Sequence, residues 1–182
     1  MRILFQTAAA APFVVPFIAG QAAMAAPLYG KVSVGQSEAE VSGISLDEGL
    51  SYGAAVGTAV GPFRIEAGVD RLSGSFDLFG PSISADALDY RATAYLDLPV
   101  GDRASVFAGA GVDYIDAEAS VFGADIGADG TGWHWAVGGA YRLAEGIVGE
   151  AQYRQVSAEL NSDFGDVDLD ATAVTVGLRF AL

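Results

Sequence analysis

The sequence predicts an all-β fold, an eight-stranded antiparallel up-and-down β-barrel, on three observations. Apolar and polar residues alternate with a period of two in eight separate stretches, which is the pattern of a strand with one apolar side. The connections between the stretches alternate between short and long, as they do when strands run up and down between two ends of a barrel. Beyond Ala26 no run is continuously apolar for the roughly 20 residues that a membrane-crossing helix needs, whereas each stretch is close to the roughly 9–11 residues of a tilted crossing strand.

The elements follow in order. Residues 1–26 read as a cleaved export signal: Arg2 is the sole early charge, "ILFQTAAAAPFVVPFIAG" is mostly apolar, and Ala23-Met24-Ala25 supplies a small-x-small cleavage pattern. An uncleaved anchor helix is the alternative, and Pro12 and Pro16 within the run argue against it. Residues 27–182 then form the barrel domain. In its first strand, "LYGKVSVG", Leu28, Gly30, Val32 and Val34 share one face and Tyr29, Lys31, Ser33 and Gly35 the other. Seven more stretches fall at about 50–60, 63–72, 87–98, 104–115, 132–143, 147–156 and 171–182. Three connections are tight: Gly61-Pro62, Pro99 to Arg103 and Ala144 to Gly146. The long ones, near 38–49, 73–86, 116–131 and 157–170, keep alternating up to a glycine at Gly43, Gly80, Gly123 and Gly165, and so read as hairpins extending the strands.

Period two alone does not tell a barrel in a membrane from a soluble lipocalin-like one, so aromatic placement and charge decide. Tyr52, Tyr90, Tyr114, Trp133, Trp135 and Tyr153 lie on apolar faces toward the long connections, as a lipid-interface girdle does. Phe63, Tyr141 and Phe180 make a thinner ring at the other end. The polar faces carry Lys31, Arg64, Arg91, Arg142, Arg154 and Arg179 against Glu66, Asp70, Asp89, Asp97, Asp113 and Glu150. Balanced charge among small residues suits a narrow lumen where each buried ion needs a partner. Turn positions set Ala59 opposite Arg64, Gly57 opposite Glu66 and Ala140 opposite Glu150. A soluble barrel needs neither the balance nor the sorting of aromatics by height, so the barrel is expected to be transmembrane.

Composition excludes several classes of function. The chain has no cysteine, which removes thiol redox chemistry, thiolate zinc sites and disulfides. A net charge of -14 with scattered basic residues is unsuited to nucleic acid.

With its exported N-terminus, eight alternating strands and closing strand "TAVTVGLRFAL", the chain resembles the small outer-membrane barrels of Gram-negative bacteria, the porin-like OmpA/OmpX and opacity-protein type. The resemblance implies residence in the cell outer membrane, contact with its lipids and lipopolysaccharide, and insertion by the barrel-assembly machinery. In that family the last strand carries a terminal aromatic as an address; here Phe180 takes that place and Ala181-Leu182 follow it.

The single histidine, His134, stands between Trp133 and Trp135 in "GWHWAVGGAYRL". Alternation turns the tryptophans outward and His134 into the lumen. A register with Tyr114 opposite Trp133 sets Asp113 opposite His134, an expected ion pair. No His-x-Ser arrangement accompanies it, so neither a catalytic residue nor a cofactor is expected. Most of the 23 acidic residues fall in the long connections. Within "DFGDVDLD", Asp166, Asp168 and Asp170 are the candidates for calcium, but the glycine and closing glutamate of an EF-hand loop are missing. Alternating aspartates also mark the solvated side of a hairpin. The expected function is therefore structural or interactive: a barrel with a charge-balanced, closed lumen that presents acidic hairpins to an extracellular partner. The alternatives are a narrow gated conduit for small solutes or ions and a lipid-modifying enzyme.

Overall fold

A computed structural model describes residues 28–41, 44–45, 48–77, 82–121, 124–162 and 165–182. The expected export signal and the hairpin tips Gly43, Gly80 and Gly123 lie outside the described residues. The strands are β1 (Leu28–Val41), β2 (Ile44–Ser45), β3 (Gly49–Val60), β4 (Phe63–Asp77), β5 (Ser82–Pro99), β6 (Ala104–Val121), β7 (Ala124–Ala144), β8 (Ile147–Ser162) and β9 (Gly165–Ala181). Every neighbouring pair is antiparallel, and β9 returns to β1 from Tyr29↔Ala181 to Val41↔Leu169. Eight long strands thus close into a barrel, and β2 is only the two-residue return of the first hairpin. Closure pairs the backbone groups that an open sheet leaves at its edges.

The long connections are mostly strand. Pairing runs to Val121↔Ala124, Ser162↔Gly165 and Asp77↔Ser82, so β6 continues past the expected end near residue 115. At the other end two-residue turns close Val60↔Phe63 and Ala144↔Ile147. Gly61 and Gly146 adopt φ of 61° and 72° there, a region that costs a side chain-bearing residue far more.

Along each strand the polarity of the two faces inverts part way up. On the outward face of β9, Asp166, Asp168 and Asp170 give way to Val174, Val176, Leu178 and Phe180, and all are exposed. Inside, the reverse holds. The section toward the long hairpins is filled by Ile115, Val156, Leu160, Leu169 and Ala171, and the section below it by charged side chains. Ala39, Val41, Ala87, Ala117, Ala128 and Ala158 pack around that apolar plug. A barrel that stands in water above and hydrocarbon below must exchange its faces at the boundary, because burial of apolar surface is favourable only where the outside is water. A second apolar cluster, Tyr95, Phe107, Ala136 and Ala140, sits toward the tight turns.

Candidate functional site

The charged lumen begins beneath the first cluster and runs past the second, where Arg64 faces Tyr95 and Asp97 faces Phe107. Inward positions recur every second residue on all eight long strands, so pairs distant in sequence meet across the barrel. In the half nearer the tight turns Arg64 is fully buried, with Nη1 3.0 Å from Glu66 Oε2 and Nε 3.0 Å from Asp97 Oδ2. Lys31 Nζ lies 3.1 Å from Glu150 Oε2 and 3.5 Å from Glu66 Oε1, and Arg179 Nη1 lies 3.3 Å from Glu150 Oε1. Asp97 and Arg179 are half-buried near the mouth. In the other half Arg154 reaches Asp70 at 2.9 Å and Asp89 at 2.8 Å. Arg91 pairs with Asp70 and, at 3.5 Å, with Glu66, which links the halves.

His134 lies at the top of this ladder, directly under the plug. Its Nδ1 is 2.7 Å from Asp113 Oδ2 and its Nε2 is 2.9 Å from Thr93 Oγ1. The expected partner is the one found, but the register differs: Tyr114 faces Thr131, Asp113 faces Gly132, and His134 faces Gly111. The hairpin closes at Val121↔Ala124, which shifts the pairing by two residues. An even shift preserves both faces, so His134 meets Asp113 as a diagonal neighbour rather than a direct one. Space for the ring comes from Gly111, where a Cβ would collide with His134. Tyr29 lies over Gly57, Tyr95 over Gly109 and Phe107 over Gly138 in the same way. Rings laid on a neighbouring strand's glycine fill the lumen and cover exposed backbone.

Arg142 departs from expectation. It is exposed at the mouth instead of sitting in the lumen, because the ladder shifts between Arg142 and Ala144 on the last rung before the turn. Its backbone N–H is occupied by Arg103 O at 2.8 Å. Conversely, Tyr29, Thr93, Tyr95, Phe107 and Gln152 are buried lumen residues that the charge-based reading passed over. Tyr29 Oη donates to Glu66 Oε2 at 3.1 Å, and Lys31 Nζ donates to Gln152 Oε1 at 3.2 Å. Parity alone marks these positions as inward.

The outward aromatics form two groups. Tyr52, Tyr90, Tyr114, Trp133 and Tyr153 are exposed and Trp135 half-exposed just below the acidic section. The Tyr90 and Tyr114 rings are 6.3 Å apart and those of Trp135 and Tyr153 5.5 Å. Phe63, Tyr141 and Phe180 are exposed near the tight turns. Asp166, Asp168 and Asp170 point outward along β9, and Asp170 Oδ1 accepts a hydrogen bond from Ser157 at 2.7 Å. Among the described residues no three acidic or histidine side chains are grouped to hold a metal ion.

Comparison with known proteins agrees with this architecture. The family described as outer membrane protein beta-barrel domain matches residues 6–180. Among solved structures, Neisserial surface protein A superposes with a TM-score of 0.74 at 17% identity, covering 85% of this chain and 97% of its own. Ail, the attachment invasion locus protein of Yersinia pestis, gives 0.54 at 18% identity, with 85% and 99% covered. The outer membrane protein AlkL, solved in DMPC bilayers, gives 0.56 at 11% identity, with 90% and 94% covered. A search of curated protein sequences finds no match.

Proposed function

The chain belongs to the outer membrane protein beta-barrel domain family, and on that premise we propose that it is a non-enzymatic barrel whose closed lumen rigidly supports an acidic extracellular surface. It resides in the outer membrane, among its lipids. The observation that carries the proposal is the filling of the lumen. Ion pairs from Arg64 to Arg154 occupy its middle, Tyr95 and Phe107 its turn end, and Ile115, Val156, Leu160 and Leu169 its outer end. Side chains fill the interior of a barrel this narrow and leave no water-filled passage.

Around the plug the outward acids Glu38, Glu40, Asp86, Asp116, Glu118, Asp129, Glu159, Asp168 and Asp170 are exposed, and Arg71 is the outward cation among them, paired with Asp86 at 3.1 Å. Such a wall repels anionic neighbours. Lipopolysaccharide phosphates approach it through divalent cations, and an extracellular partner needs a basic face. The exposed aromatic rings below anchor the barrel at the lipid interface, and the last strand with Phe180 is offered to the barrel-assembly machinery. Residues 1–26 are removed on export, which N-terminal sequencing of the mature protein reads directly.

Planar-bilayer recording with purified protein tests the central point. No stable current is expected at neutral pH, and a steady one favours the conduit reading instead. Lipid A mass spectra from cells with and without the protein are expected to match. Altered acylation replaces the structural reading with an enzymatic one.

A further inference from the structure

The two halves of the lumen differ in fixed charge. Near the tight turns Glu66, Asp97 and Glu150 meet Lys31, Arg64 and Arg179, three charges of each sign. Beneath the apolar plug Asp70, Asp89 and Asp113 pair with Arg91 and Arg154, all five buried; Arg91 is shared with Glu66 and Lys31 also acts on Asp70, so among the described lumen residues six carboxylates meet five cations. Asp89 is 0% exposed, and neither of its oxygens nor Asp113 Oδ1 accepts a hydrogen bond. They face the same guanidinium, with Arg154 Nη1 2.8 Å from Asp89 Oδ2 and 3.7 Å from Asp113 Oδ1. An uncompensated carboxylate in such a compartment is strongly unfavourable, so the cluster requires one more proton.

His134 is the group placed to carry it. From β6 it meets Asp113, from β5 Thr93 with Asp89 and Arg91 behind, from β8 Arg154 through Asp113, and from β4 Asp70 through Arg154. The remaining walls contribute Ser37, Ser51, Ala171 and Ala173 at this height, with Lys31 of β1 lower down, where it acts on Asp70. A ring protonated at both nitrogens donates to Asp113 Oδ2 and to Thr93 Oγ1 at once, since a hydroxyl accepts as well as donates. Across the sheet His134 faces Val156, a member of the plug, so movement of the ring reaches the plug directly.

We propose that the His134–Asp113 couple holds the proton that completes the charge of this compartment, and that this proton is a latch on the outer end of the lumen. When pH rises, hydroxide takes the proton and becomes water, and the compartment keeps a net negative charge. Asp89 and Asp113 then draw water under the plug, and the tie from β7 to β6 weakens from an ion pair to a hydrogen bond from a neutral ring, while the Thr93 hydroxyl turns to donate to Nε2. The inference rests on the closed-lumen reading above, and their failures are separable.

The test is bilayer conductance of the mature protein as a function of pH, with heat-modifiable gel migration as the measure of folding, for wild type, His134→Gln, Asp113→Asn and the double variant. Wild type is expected to be silent at neutral pH and to conduct at alkaline pH. His134→Gln, left with the charge deficit, conducts at both. Asp113→Asn and the double variant, which each remove a carboxylate, are silent at both, so the pH dependence is lost. If His134→Gln migrates as unfolded, the comparison of wild type with Asp113→Asn carries the test. Silence of wild type at every pH overturns the latch alone, and a wild-type current at neutral pH removes the closed-lumen reading and the latch with it. A conducting threshold that moves when sodium is replaced by a bulky organic cation at fixed pH assigns the missing charge to a bound ion and overturns the proton.

Discussion

The guanidinium carbon of Arg64 lies 4.0 Å from the centroid of the Tyr95 ring, which makes one side chain serve both as an ion and as packing. Its nitrogens engage Glu66 and Asp97 while Phe107 lies 5.0 Å away on the same group. Replacing Arg64 by Met leaves the buried Glu66 with Lys31 and Arg91 and the buried Glu150 with Lys31 and Arg179, each one cation short. A loss of about 3–5 kcal/mol is expected, as for other broken buried pairs. Arg64→Lys keeps the charge but loses the planar fork and the stacking, and so falls between the two. Urea unfolding in detergent micelles measures this, and equal stability of Arg64→Met and wild type removes the ion ladder as a source of stability.

The lumen rings supply a second expectation. Phe107 rests on Gly138, where a Cβ would meet its ring. Gly138→Val displaces the ring and crowds the Ala151 carbonyl on the neighbouring strand, and is expected to cost about 1–3 kcal/mol. Val137→Ala, its lipid-facing neighbour, removes methyl groups where lipid takes their place and is expected to cost less. Tryptophan fluorescence during unfolding reports both variants, and the reverse order of effects speaks against ring-on-glycine packing.

The inversion of polarity on β9 predicts opposite tolerance along one face. Val176 and Asp168 both point outward. Val176→Arg sets a cation toward hydrocarbon and is expected to destabilise the folded protein in vesicles by about 2–4 kcal/mol. Asp168→Arg, in the acidic section, is expected to stay within about 0.5 kcal/mol. Similar costs for the two mean that the boundary between hydrocarbon and water does not lie between Asp168 and Val176.

How far such positions are legible in the sequence depends on whether they rest on parity or on pairing. Parity follows from period two, so Arg64, Glu66, Arg154 and His134 point inward as expected. Pairing depends on where a hairpin turns, and the change of phase between Val121 and Ile126 spans several residues, so it does not single out the closing pair Val121↔Ala124. The inversion does leave a mark, since the apolar residues change parity as they pass from the outer face at Val112 to the inner face at Ile115. That parity slip, with Asp113 and Tyr114 between, is the signal for the boundary. Arg142 obeys parity but stands on the rung that the ladder shift disrupts, and period two carries no mark of a bulge.

The plug itself gives the last prediction. Leu160 and Leu169 are buried inside the section enclosed by acidic outer faces, together with Ile115 and Val156. Among the described residues the lumen ion pairs end at His134–Asp113 and Arg154–Asp113, so the side chains of the plug are held by packing. Leu160→Ala opens a cavity there, and a buried leucine lost in this way costs about 2–5 kcal/mol. The lower section has its own ion ladder and is surrounded by lipid, so the loss is expected to stay local to the outer hairpins. Amide hydrogen exchange is expected to quicken in β8 and β9 between Val156 and Ala171 and to remain slow from Ala151 to Arg154. Uniform loss of protection along β8 is the result that sinks two-section behaviour, since it requires plug and ladder to unfold as one unit.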